Sequence, residues 1–187
     1  DAPELSPVGA FARRLADSGH GALCIAVNVS PHQLCAEGFI DSVREALQEA
    51  GISPQRLEIE ITENALIASL HEAIARLEAL RAMGVRLALD DFGTGYSSLT
   101  YLQRLPVQML KIDKSFIDRI METGANKTII RTIVDMAHQM DMTVVAEGVE
   151  TAEQLEYLSE SRCDLAQGFL FSRPVPEAEA VGLLTPH

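Results

Sequence analysis

The stretch LALDDFGTGYSSLTYLQRLPVQMLKIDKSFI, residues 87–117, decides how the chain folds. It contains two short apolar runs, and each stops on charge. Val85–Leu89 stops at Asp90 and Asp91, and Gln108–Ile112 carries Lys111 and stops at Asp113. Runs this short, apolar nearly throughout, suit strands buried on both faces of a parallel sheet. Gly93 and Gly95 follow the first pair of acids and are expected to give a mobile loop beside them.

Outward from this segment the same texture repeats. Leu23–Val29, Leu57–Ile61, Thr143–Ala146 and Gln167–Phe171 bring the count of strand-like runs to six. Helical spacing separates them. Ile40, Val43 and Leu47 share a face that Gly51 closes; Leu70, Ile74, Leu77 and Leu80 share another, closed by Gly84. Ile129, Ile130, Ile133, Val134 and Ala137 form a third stripe. Thr151 to Gln154 reads as a capping box, and Pro176-Glu177 opens a last short helix. The strand starts near 23, 57, 85, 108, 143 and 167 are 34, 28, 23, 35 and 24 residues apart. That rhythm is one βα unit per step, so the class is α/β with a parallel sheet and helical crossovers. Rhythm alone leaves an open doubly wound sheet and a closed (β/α)8 barrel as alternatives. A closed barrel typically takes about 250 residues. With six strands and one preceding helix, near Gly9–Asp17, about two units would be missing from the front.

Polar residues gather where the strands end. Asn28 ends the first run and Glu60 the second, with Glu63 just beyond; Asp90 and Asp91 end the third, Lys111 and Asp113 the fourth, Glu147 the fifth. Gln167 stands at the start of the sixth run or just before it. Parallel βα folds build their sites from the C-terminal ends of strands, so these residues are expected to converge. Five carboxylates against one lysine repel unless protons or cations intervene. A hard, all-oxygen set with one amide suits Mg²⁺ or Mn²⁺ better than zinc, and Asp90-Asp91 could bridge two ions as in phosphoryl displacement. Bland readings stand beside this one. Glu63 could cap the next helix, Asp113 could only pair with Lys114 or Lys111, and His138 reads as a packed helix residue.

Composition narrows the classes further. Lys and Arg total 15 against 27 Asp and Glu, a formal charge of −12. So acidic a chain is a poor binder of DNA, RNA or anionic lipid. Cys24, Cys35 and Cys163 are scattered and form no CxxC pair, which argues against a disulfide scaffold or zinc site. No apolar run approaches the roughly 20 residues of a membrane span, so a cytoplasmic location is expected, with a parent protein that could be membrane-anchored. The glycine loop after Asp91 lacks the GK[ST] ending of a P-loop, and Asp91-Phe-Gly lacks the other kinase loops.

The stretches AVNVSPHQL (26–34), LEIEITENAL (57–66), residues 87–117, VVAEGVET (144–151) and QGFLFSRPVP (167–176) together resemble the EAL domain, the cyclic di-GMP phosphodiesterase module of bacterial signalling. The resemblance implies a TIM-like (β/α)8 barrel, with about six of its eight strands present here. It implies hydrolysis of cyclic di-GMP to linear pGpG with two Mg²⁺ or Mn²⁺ ions. Asn28 and Glu60 match ligands of the first metal, Asp90 a bridging ligand and Asp91 a ligand of the second. Glu147 matches an acid on the second metal or its waters. Lys111 is similar to the lysine that holds the attacking water, with Asp113 a supporting acid. Gln167 matches an amide closing the site, and Phe171, Arg173 and Pro174 fall where the family approaches the guanine base. Glu63 is similar to the anchor of the DDFGTG loop, a region through which the family forms homodimers. Fusion to sensor or GGDEF domains is also implied.

One departure stands out: no Glu-Ala-Leu motif precedes Asn28. Residues 1–187 therefore read as a phosphodiesterase domain incomplete at its N-terminal side. A piece of a longer protein, a barrel completed by a partner chain, and a natural loss of the strand all fit. The last would make the chain an inactive cyclic di-GMP receptor or a protein-interaction module.

Overall fold

The computed structural model describes residues 5–63, 70–93, 99–122 and 124–184. Helix α1 (Leu5–Leu15) leads into strand β1 (Ile25–Asn28), and α2 (Pro31–Cys35) and α3 (Phe39–Ala50) follow. Next come β2 (Leu57–Thr62), α4 (Leu70–Ala82), β3 (Arg86–Phe92), α5 (Leu99–Leu102), β4 (Met109–Ile112), α6 (Lys114–Asp118) and α7 (Gly124–Gln139). The order ends with β5 (Thr143–Ala146), α8 (Ala152–Glu160), β6 (Leu165–Ala166) and α9 (Glu177–Leu183). The strands form one sheet in sequential order β1 to β6, and every pair with a described register is parallel. This is the α/β architecture that the strand rhythm predicts. None of the described helices is long and apolar enough to cross a membrane.

The chain divides into two compact units. The first comprises Asp1–Ile61, Ala65–Leu87 and Pro174–His187. Within it α1 packs on α3 where Gly9 meets Ala50, and Arg13 donates to the Ala50 carbonyl. Asn28 stands opposite Glu60 in the β1–β2 register, and the Val29 amide donates to the Glu60 carbonyl at 2.9 Å. Phe39, Leu34, Ile59, Ile61, Leu77 and Leu80 fill its core. Helix α3 ends where the spacing predicts, at Gly51 in the left-handed region.

The second unit comprises Thr62–Asn64 and Ala88–Arg173. Strand β4 is buried along its length and β5 nearly so, while Leu165 of β6 is exposed; Leu89, Leu110, Ile112, Ile117, Ile130, Val134 and Val144 form the core. The expected capping box opens α8, Thr151 accepting from the Gln154 amide. Gln154 is buried, and its side-chain amide donates to the Ile117 carbonyl at 3.2 Å.

Two boundaries differ from the sequence reading. Strand β3 runs on through Asp90 and Asp91 to Phe92 instead of stopping at Leu89. The sixth run, Gln167–Phe171, is not a strand: β6 is Leu165–Ala166 and the chain turns at Gly168. Phe169 and Phe171 are about half exposed, so their apolar character reports a surface loop and not a buried strand. Gln167 consequently follows its strand's end, in step with the other polar residues.

Leu110 is fully buried in the central strand β4. Replacing it with alanine should lower stability by about 2–5 kcal/mol, read from urea unfolding, because the strand cannot collapse into the void.

Candidate metal centre

Strand periodicity places the chemistry. Ala88, Met109 and Val145 form a buried apolar cluster on one face of β3, β4 and β5. Two residues further along the chain from each stand Asp90 on β3, Lys111 on β4 and Glu147 just past the end of β5, the period that keeps side chains on one face. A polar layer thus lies above an apolar one.

Lys111 is buried within the polar layer. Its ammonium lies 2.6 Å from Glu147 Oε1 and 3.4 Å from Asp90 Oδ1, with 6% of its side chain exposed. The Gln167 side-chain amide donates to the same Glu147 oxygen at 2.7 Å. Two donors therefore fix the Glu147 carboxylate.

Asp91 reaches this face against its parity. In a regular strand it would point away from Asp90. Here the β3–β4 register shifts between Leu89 and Phe92, and Asp91 takes a positive φ of 54°. Such a bulge turns a side chain off its regular direction. The Asp90 carboxylate holds the bulge by accepting from the Asp91 amide at 2.9 Å. Carboxylate oxygens of Asp90, Asp91 and Glu147 come within 4.8 Å of one another.

Three carboxylates and one ammonium leave a formal deficit of two positive charges. The strain shows at Asp91, whose pKa is raised by burial first and then by the charges of Asp90 and Asp113, with Lys111 offsetting only part. A divalent cation would cancel the deficit, and hard oxygen donors at this spacing fit one. The donor set fits a hard divalent cation.

The remaining expected residues fall as follows. Glu63 accepts from the Gly93 amide at 2.9 Å, so it holds the start of the glycine loop; residues 94–98 lie outside the described residues. Asp113 pairs with neither lysine but caps α6, accepting from the Ser115 amide at 3.0 Å. Asn28 and Glu60 belong to the first unit, with Asn28 exposed and Glu60 buried. Arg173 stacks over the Phe169 ring, 4.5 Å from its centroid, and Phe171 is exposed nearby in sequence. Pro174 is exposed in the first unit. Phe169, which lies under the Arg173 guanidinium, is a residue the motif match does not single out. His138 is a helix residue as expected, but its ring also reaches Asp164 at 2.9 Å.

The family model described as the EAL domain matches residues 5–174. The chain belongs to the EAL domain family. It is 48% identical over 166 residues to the cyclic di-GMP phosphodiesterase NbdA of Pseudomonas aeruginosa, covering 89% of this chain and 21% of that protein. The domain thus spans about a fifth of that relative's length. Among solved structures it is similar to the PaMucR phosphodiesterase in complex with c-di-GMP, with a TM-score of 0.90 and 41% identity over 94% of this chain and 71% of that one. It is also similar to Klebsiella pneumoniae BlrP1 in a manganese and cyclic di-GMP complex, with a TM-score of 0.83 and 35% identity over 92% and 44% of the chains. The fold of this EAL domain is accordingly TIM-like, with six successive strands described.

The raised Asp91 pKa has a signed consequence. With chelator present the folded chain holds a proton on Asp91 more tightly than the unfolded chain does. Stability therefore falls as pH rises from the unfolded carboxyl value through the raised one. Asp91→Asn in EDTA at neutral pH should raise Tm by about 1–3 °C, the scale of a sub-kcal/mol relief in a domain of this size. Mn²⁺ should then raise Tm for the unmodified chain and much less for the variant, as followed by differential scanning fluorimetry.

Proposed function

We propose that this EAL domain hydrolyses cyclic di-GMP to linear pGpG, using two Mg²⁺ or Mn²⁺ ions. The observation that carries the reading is the buried Lys111 set among Asp90, Asp91 and Glu147. Family membership and the identity to a named phosphodiesterase support it. Asp90, Asp91 and Glu147 would hold metal, and Asn28 and Glu60, matched by sequence, would serve as further ligands. Bound divalent ions supply Lewis acidity toward a phosphoryl oxygen and a water of lowered pKa.

The chain's own residues do the rest. Hydrolysis to pGpG breaks one P–O3′ bond, attaches the water oxygen to phosphorus and leaves a proton on O3′. Lys111 Nζ, held by Glu147 and Asp90, places a fixed positive charge where phosphoryl charge develops. Asp113 holds Lys111's strand against α6 and so supports that placement. Gln167 orients Glu147. Arg173 stacked on Phe169 offers flat and cationic surface for a guanine base, and Phe171 and Pro174, matched by sequence, would serve the same role. Glu63, through Gly93, would connect the loop at which a second copy pairs. The domain would act in the cytoplasm inside a larger protein carrying sensor or GGDEF domains.

Turnover is measured as pGpG by anion-exchange chromatography of the full-length protein in Mn²⁺. Lys111→Ala and Glu147→Gln should each lower kcat by about 10² or more, and EDTA should abolish turnover. Ca²⁺ in place of Mn²⁺ should support little hydrolysis, since its coordination is loose and high-numbered. Binding of cyclic di-GMP without pGpG would assign the domain as a receptor instead.

A further inference from the structure

We infer that the short helix α6 is a wedge that sets the positions of Asp91 and Glu147 together, with Phe116 and Lys114 as its two contact points. This rests on the metal-centre reading for its consequence but not for its geometry.

The contacts fall at two glycines. Gly93 follows Asp91 and Phe92 and has φ +97°; a Cβ there would lie 2.5 Å from Phe116 Cε2 and 2.7 Å from its Cζ. The ring of Phe116 therefore occupies the space above Gly93, on the loop Glu63 holds from the other unit-two segment. Gly148 follows Glu147 and has φ +70°; a Cβ there would lie 2.7 Å from Lys114 Cδ and 2.8 Å from its Cβ. The aliphatic stem of Lys114 occupies that space, and its ammonium pairs with Asp118 and Glu150, each at 2.8 Å. Glu150 lies on the same loop as Glu147, so the stem and the charge both fasten that loop.

Both contact residues stand on one rigid piece. Lys111 lies on β4, Asp113 caps α6 directly after it, and Lys114 and Phe116 are the first and third residues of the helix. The segment that delivers the central cation therefore also presses on Gly93 and Gly148, just beyond Asp91 and Glu147. Neither Lys114 nor Phe116 is placed among the ligands, so each is a positioning residue.

The test reads four amides of the chain by hydrogen exchange in NMR, together with a Mn²⁺ titration. Asp91 N–H is held by Asp90 and Gly93 N–H by Glu63, while Val149 N–H is held by the Gln167 carbonyl and Glu150 N–H by Gln154. Phe116→Ala should speed exchange at Asp91 and Gly93, and Lys114→Ala at Val149 and Glu150. Exchange at Val29 N–H, bonded to Glu60 in the other unit, should stay unchanged. Each variant should weaken Mn²⁺ binding about 10-fold, the usual scale for a supporting residue. Phe116→Leu and Lys114→Met, which keep the volume or the stem, should recover most of both effects. Unchanged protection at all four amides would overturn the wedge, as would faster exchange with undiminished Mn²⁺ affinity. Equal loss at Val29 in both the alanine and the conservative variants would reduce the role to general stability and overturn it too. If the unmodified chain bound no Mn²⁺ while the amides responded as described, the wedge would stand and the metal reading would fall.

Discussion

Lys111 is buried on β4 within the second unit, and most of that unit can be understood as the means of keeping it there. A buried ammonium is costly unless it is paired and hydrogen-bonded. Here it is paired with Asp90 on the neighbouring strand β3 and with Glu147 just past the end of the other neighbour, β5. The pairing draws carboxylates into one place. It also undershoots, since one lysine cannot balance Asp90, Asp91 and Glu147, and that shortfall makes the cluster receptive to a divalent cation.

The backbone is adjusted to the same end. Asp90 and Asp91 are adjacent, yet both carboxylates join the cluster, which a regular strand forbids. The bulge and the positive φ at Asp91 solve that problem, at a backbone cost of order 1–3 kcal/mol. The Asp90 side chain, Glu63 on Gly93 and the ring of Phe116 hold the distorted segment in place. Strain of this kind persists where the surroundings over-determine it, and β3 ends among such surroundings.

Much of this is legible in the sequence because it follows from period and chain order. Apolar runs ending on acids at βα spacing identify the parallel sheet, and Lys111 and Glu147 follow from standing where such runs end. The Asp91 bulge is hidden, since nothing in Asp-Asp-Phe-Gly tells which carboxylate turns. Gln167–Phe171 misleads for a different reason: its apolar residues are exposed loop residues, and Gly168 turns the chain immediately after β6. The role of Asp113 as the cap of α6, and the packing of Lys114 and Phe116 on glycines, depend on three-dimensional contacts that spacing does not encode.

The central claim is that the acids around Lys111 form a seat for a divalent ion. Diffraction at the manganese edge from crystals of the chain soaked in Mn²⁺ tests it most directly. An anomalous peak among the carboxylates of Asp90, Asp91 and Glu147, with Lys111 still beside Glu147, is the expected result. Saturating Mn²⁺ with no peak there, and the three acids left against the lysine alone, would contradict it.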